Sequence, residues 1–107
     1  MDLKQYNIVL VNLDPTLGSE IQKTRPCVVL SPNEINDNLR TVVIAPMTSV
    51  SRNYPTRIKV LHNNKVGWVV IDQIRTIDKV RIVKMLGSLN QKEITECKRI
   101  LRETFID

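Results

Sequence analysis

Apolar residues in this chain come in short, β-branched runs separated by turn formers. Residues 6–13, 26–30, 41–45 and 67–74 are each bounded by Pro, Gly, Asn, Asp or Ser, which predicts four strands. Two further stretches, Arg57-Ile58-Lys59-Val60 and Lys79-Val80-Arg81-Ile82, alternate with a period of two. That spacing predicts strands that send the apolar residues inward and the four cations outward. His62-Asn63-Asn64-Lys65 suits a tight hairpin turn, because Asn tolerates the left-handed backbone such turns require, so the strands around it should be antiparallel.

Helical signals are fewer. Pro32-Asn33-Glu34-Ile35-Asn36 has room for one or two turns at most. Over residues 90–105 the signals are complete: Asn90 can cap, Glu93 stands three residues on as in a capping box, and Ile94, Cys97, Ile100, Leu101 and Phe105 make one apolar stripe. A strand-rich order with one terminal helix and no strand-helix alternation predicts a mainly β (α+β) fold. The expected form is a small, strongly bent antiparallel barrel with a packed C-terminal helix, one domain over residues 1–107.

Composition narrows the class. A chain of 107 residues with 42% apolar and 25% charged side chains suits one compact soluble domain. The longest apolar stretch, residues 66–71, is far below the roughly 20 residues a membrane-spanning helix needs, and a polar N-terminus predicts no cleaved leader. Cys27 and Cys97 stand apart among apolar neighbours, which reads as two buried thiols in a reducing cytoplasm, with no metal and no cofactor expected. Sixteen basic against 11 acidic residues give +5, and the whole excess lies in residues 57–84. There Arg57, Lys59, Lys65, Arg75, Lys79, Arg81 and Lys84 face only Asp72 and Asp78, a local field that suits a polyanion such as nucleic acid.

Two irregular joins, residues 14–24 and 47–55, adjoin reactive side chains: Arg25 ahead of Pro26, and Thr48 and Ser49 after Pro46. Four blocks run in order along the chain: Leu13-Asp14-Pro15-Thr16-Leu17-Gly18-Ser19-Glu20, Lys23-Thr24-Arg25-Pro26-Cys27-Val28-Val29, Pro46-Met47-Thr48-Ser49, and Asp72-Gln73-Ile74-Arg75-Thr76-Ile77-Asp78-Lys79 with Arg81. This sequence resembles the MazF/PemK toxins over almost its whole length. The resemblance implies a homodimeric, SH3-like barrel that acts as a metal-independent endoribonuclease on single-stranded RNA, chiefly messenger RNA, and that a cognate MazE-like antitoxin blocks. It also implies that Arg25 and Thr48 are the catalytic pair, with Glu20, Ser49 and Gln73 near them. Ser19, Lys23, Tyr54, Arg75 and Arg81 are further candidates for supporting or RNA-binding roles. Two departures stand out. Ile21 and Lys23 replace the Gln and Gly of the common Glu-Gln-x-Gly-x-Arg-Pro loop, and Ser19 and Val70 replace the His and Arg that some PemK-type members use.

The chemistry suits these residue types. Metal-free cleavage requires an activated 2′-hydroxyl, a cation on the phosphoryl oxygens and a proton for the departing 5′-oxygen. A guanidinium matches two phosphate oxygens, and a Thr hydroxyl adds one donor. Arg25 does not accept a proton, so the base is open: Glu20 reads more readily as orienting Arg25, and His62, the only imidazole, reads as a solvated turn residue. Trp68 reads as core, and Tyr54 as either a base-stacking or an ordinary surface residue. Two other functions remain: a gyrase-binding toxin of the CcdB type, disfavoured because the chain ends Thr104-Phe105-Ile106-Asp107 rather than Trp-Gly-Ile, and an RNA-binding module without catalysis.

Overall fold

The computed structural model describes residues 2–50 and 54–106. Seven strands follow one another: β1 (Asn7–Asn12), β2 (Thr24–Val29), β3 (Thr41–Thr48), β4 (Arg57–His62), β5 (Lys65–Val70), β6 (Arg75–Asp78) and β7 (Ile82–Ser88). Helix α1 (Asn33–Asn38) precedes β3, and α2 (Gln91–Phe105) follows β7. The strands form one curled antiparallel sheet in the order β4-β5-β3-β2-β1-β7, with β6 alongside β3. The long strand β3 bends the sheet by changing partner. Its first half, Thr41 to Ile44, pairs with β6, whereas Met47 and Thr48 pair with Val69 and Trp68 of β5.

The central strands are buried on both faces, which is why their sequence reads as nearly continuous apolar runs. Along β1 and β2, Ile8 and Val28 enter a core beneath α2 with Met47, Ile58, Val60, Val69, Cys97 and Ile100. Their neighbours Val9, Val11, Cys27 and Val29 enter a second core with Val42, Ile44 and Ile77. Both cysteines are buried free thiols, and burial pushes Cys27 up to about 12 and Cys97 to about 11. Beside α1, Ser31 and Asn36 are buried polar residues that satisfy each other: Ser31 Oγ donates to Asn36 Oδ1 at 2.6 Å and Asn36 Nδ2 donates to Ser31 O at 2.9 Å. No helix of the described residues is long and apolar enough to cross a membrane.

The hairpin and the capping box form as expected. Asn63 and Asn64 take φ of +51° and +60°, so the β4–β5 turn closes with His62 opposite Lys65. Asn90 accepts from the Glu93 N–H at 2.8 Å while Glu93 Oε1 accepts from the Asn90 N–H at 2.9 Å. Three expectations need correction. Lys79–Arg81 is a single 3₁₀ turn, not a strand, because Asp78 Oδ1 accepts from the Val80 N–H at 2.9 Å and winds the chain, leaving Val80 87% exposed. The predicted strand over residues 67–74 begins earlier and stops at Val70, giving way to a 3₁₀ turn at Ile71–Gln73. Phe105 leaves the apolar stripe of α2 and is 54% exposed.

Candidate active site

The curl of the sheet brings the end of β3 close to the start of β2 and the β4–β5 hairpin. A cleft of about 320 Å³ lies between them, lined by Arg25, Pro26, Met47, Thr48, Ser49, His62, Asn63, Lys65, Val66, Gly67 and Leu86. The two residues expected at the reacting centre therefore share one concave surface. Arg25 precedes Pro26, whose ring keeps it in extended backbone at the mouth of β2. Its half-buried guanidinium is tethered through Nε, which donates to Gln22 O at 3.2 Å. Among the described residues its two terminal nitrogens make no hydrogen bond, which leaves their N–H groups free for an oxyanion in the cleft that Arg25 lines.

Thr48 is the last residue of β3. Its Oγ1 accepts from the Val50 N–H at 3.2 Å, which fixes the oxygen and leaves the hydroxyl proton to be donated elsewhere. Exposed Ser49 follows on the same rim. Residues 51–53 of the join over residues 47–55 lie outside the described residues.

The supporting candidates divide. Glu20, Gln73 and Arg75 line a second hollow of about 410 Å³ with Leu13, Ile21, Pro46, Asp72 and Ile74. Within it Gln73 Oε1 accepts from the Ile21 N–H at 2.9 Å, tying residues 14–23 to the 3₁₀ turn after β5. Glu20 Oε1 accepts from the Leu17 N–H at 2.5 Å and curls the loop upon itself. Arg75 Nη1 donates to Leu13 O at 3.3 Å, and Arg81 Nη1 to Asp14 O at 2.6 Å. Asp72 accepts from Thr56 Oγ1 at 2.8 Å. Ser19, Lys23, Tyr54 and Arg81 line neither hollow. Ser19 is exposed in the loop, and Tyr54 carries the Arg57 guanidinium 4.8 Å above its ring centroid. Lys23 adopts φ +71°, a conformation that a Gly enters without strain, so the loop keeps a left-handed corner despite its side chain.

His62 departs furthest from expectation. Instead of a solvated turn position it holds the half-buried end of β4, and its ring forms part of the cleft wall with Arg25 and Thr48. A Cβ on Gly87 would stand only 2.8 Å from His62 Cε1, so the ring rests on bare backbone of β7. This is where the two margins of the sheet, β4 and β7, meet. The only signal for it in the sequence is the alternation that puts His62 in phase with Ile58 and Val60.

Comparison with known proteins agrees with this architecture. The family model described as a PemK-like, MazF-like toxin of type II toxin-antitoxin systems matches residues 4–105. The endoribonuclease toxin MazF of Escherichia coli K12 is 34% identical over 71 residues, which are 66% of this chain and 64% of that protein, so the match spans less than two thirds of the relative's length. Among solved structures, MazF of Deinococcus radiodurans superposes with a TM-score of 0.86 at 25% identity, covering 96% of each chain. A mycobacterial endoribonuclease in complex with its cognate antitoxin has a TM-score of 0.81 at 20% identity, covering 94% of this chain and 92% of that one, and shares the fold.

Proposed function

The chain belongs to the PemK-like, MazF-like toxins of type II toxin-antitoxin systems, and from that premise we propose that it is an endoribonuclease cutting single-stranded messenger RNA in the Arg25–Thr48 cleft. The observation that carries this reading is the convergence of an untied guanidinium edge and a proton-bearing hydroxyl on one concave surface. The reaction is a metal-independent attack of the 2′-hydroxyl on the adjacent phosphorus, giving 2′,3′-cyclic phosphate and 5′-hydroxyl ends, so deoxy strands are not cut. Arg25 holds two phosphoryl oxygens with its fork as negative charge gathers there, and Thr48 donates one further hydrogen bond. Ser49 and Lys65 draw the flanking backbone into the cleft, and the Gln73–Arg75 hollow receives or orders a neighbouring nucleotide.

The nearest name for this protein's working state is a homodimer in the cytoplasm, held inactive by an acidic MazE-like antitoxin until that partner is lost. The outer strand β7 supports pairing between copies, since it exposes Val83 and Met85 ahead of the point where Gly87 meets His62. Light scattering at micromolar concentration should give twice the chain mass. The activity test is incubation of the purified protein with a long single-stranded RNA in EDTA. Cleavage with cyclic phosphate ends is expected, lost in Arg25→Ala and Thr48→Ala while the circular dichroism spectrum is kept. Undiminished cutting by Arg25→Ala refutes the assignment, and RNA retained but intact makes the protein a binding module.

A further inference from the structure

We propose that His62 is the proton acceptor of the cleft, the group that takes the 2′-hydroxyl proton as the strand is cut. This rests on the cleavage reading above, which leaves the base unnamed. The titratable side chains lining the cleft are Arg25, His62 and Lys65. A guanidinium holds its proton at every working pH, and an ordinary ammonium holds its own to about pH 10, so neither is an acceptor near neutrality. An imidazole both accepts and releases a proton in that range. The carboxylates of Glu20 and Asp72 line the other hollow, and both are already engaged, with the Leu17 N–H and the Thr56 hydroxyl.

The setting of the ring argues against mere filling. His62 Nε2 is buried without a hydrogen-bond partner. A residue chosen only to seal the junction of β4 and β7 would be apolar, since an unpaired buried nitrogen is destabilising and calls for a reason. Glycine at position 87 keeps room for this ring, and the Asn63-Asn64 turn fixes the strand end that carries it. The charged groups around it are Lys65 of β5, across the hairpin, and Arg25 of β2, on the cleft wall. From β7 come Gly87 and Leu86, and from α2 comes Glu93, whose Oε2 accepts from the adjoining Leu61 N–H at 3.1 Å.

In the step, neutral imidazole keeps its own proton on the buried Nε2 and removes the 2′-hydroxyl proton through Nδ1, the 2′-oxygen bonds to phosphorus, and the bond from phosphorus to the 5′-oxygen breaks. The departing oxygen takes a proton from cleft water, and the imidazolium returns its proton to the hydroxide so formed. Strand and enzyme therefore exchange no net proton.

The test uses the chain without a histidine tag, because His62 is then its one imidazole. Cleavage of a long mixed-sequence RNA transcript at sub-saturating concentration is followed from about pH 5 to about pH 8. The wild-type rate should rise with pH and level off at the midpoint at which the single histidine resonance titrates by NMR. His62→Gln should lose that limb and cut about 100-fold more slowly, while its affinity for a 2′-O-methyl RNA changes less than about twofold. A limb unrelated to the histidine titration, a falling limb at that midpoint, or a variant that keeps rate and limb overturns the proposal. The wild-type comparison of rate and resonance decides the matter even where the variant does not fold. A wild type that leaves RNA intact refutes the nuclease reading itself, whereas cutting without a histidine limb refutes only the role of His62.

Discussion

Arg25 and the pair Arg75 and Arg81 are guanidiniums of one basic chain put to opposite uses. Arg75 and Arg81 donate through Nη1 to Leu13 O and Asp14 O, and so clasp the start of the β1–β2 loop. Among the described residues Arg25 is held only through Nε, and it lines a cleft shared with Thr48. From the sequence Arg25 is expected in the catalytic pair and Arg75 and Arg81 in supporting or RNA-binding roles. What separates them is which of their nitrogens the fold has already engaged: Arg81 Nη1 serves two carbonyls and lines neither hollow, Arg75 gives one nitrogen to the loop while lining the second hollow, and Arg25 keeps both terminal nitrogens for the cleft.

The largest effect should come from breaking the first side of this contrast. Arg25→Ala should slow RNA cleavage by about 1,000-fold, about 4 kcal/mol of activation barrier, with a thermal midpoint close to that of the parent. Cys27 links the two sides, since its thiol donates to Arg25 O at 3.5 Å while the charge of Arg75 opposes the effect of burial upon it. Burial raises both thiols above their ordinary value near 9, so the folded chain keeps protons that the unfolded chain gives up. Stability should be full below about pH 9 and fall by about 1.4 kcal/mol per thiol per pH unit towards 11 for Cys97 and 12 for Cys27, as read from urea midpoints. Arg81→Ala should cost about 1–2 kcal/mol of stability by the same measurement, because the carbonyls of Asn12, at the end of β1, and Asp14, in the loop, lose a charged donor. A drop in cleavage larger than the drop in stability would erase the distinction between the arginines. The smallest effect belongs to Lys23→Gly, which should relieve the left-handed corner and raise stability by less than about 1 kcal/mol.

What could be read from the chain followed how local each signal was. The Asn63-Asn64 turn, the Asn90–Glu93 cap and the runs that became β1 to β4 depend on neighbours within a few residues, and each formed as expected. Strand β7 was concealed because its pairing with β1 shifts register at Ile8/Val9 and again at Leu10/Val11, which breaks the period of two. Arg25 and Thr48 could be placed at strand ends, but their separation from Glu20, Gln73 and Arg75 depends on where β3 bends between partners. His62 was misjudged for the same reason. Its neighbour Gly87 lies 25 residues further on, and no local pattern records the meeting of two distant strands.

Glu93 has a further effect through its second oxygen. Strand β4 borders the sheet, and its outward N–H groups are met by Tyr54 O at Arg57 and by Glu93 Oε2 at Leu61, with charged Lys59 between them. That border is stoppered against templating a foreign strand, the route by which bare sheets grow into fibrils. Growth or assembly by strand addition is thereby directed away from β4, and one helix-capping carboxylate helps decide where this small toxin can be extended.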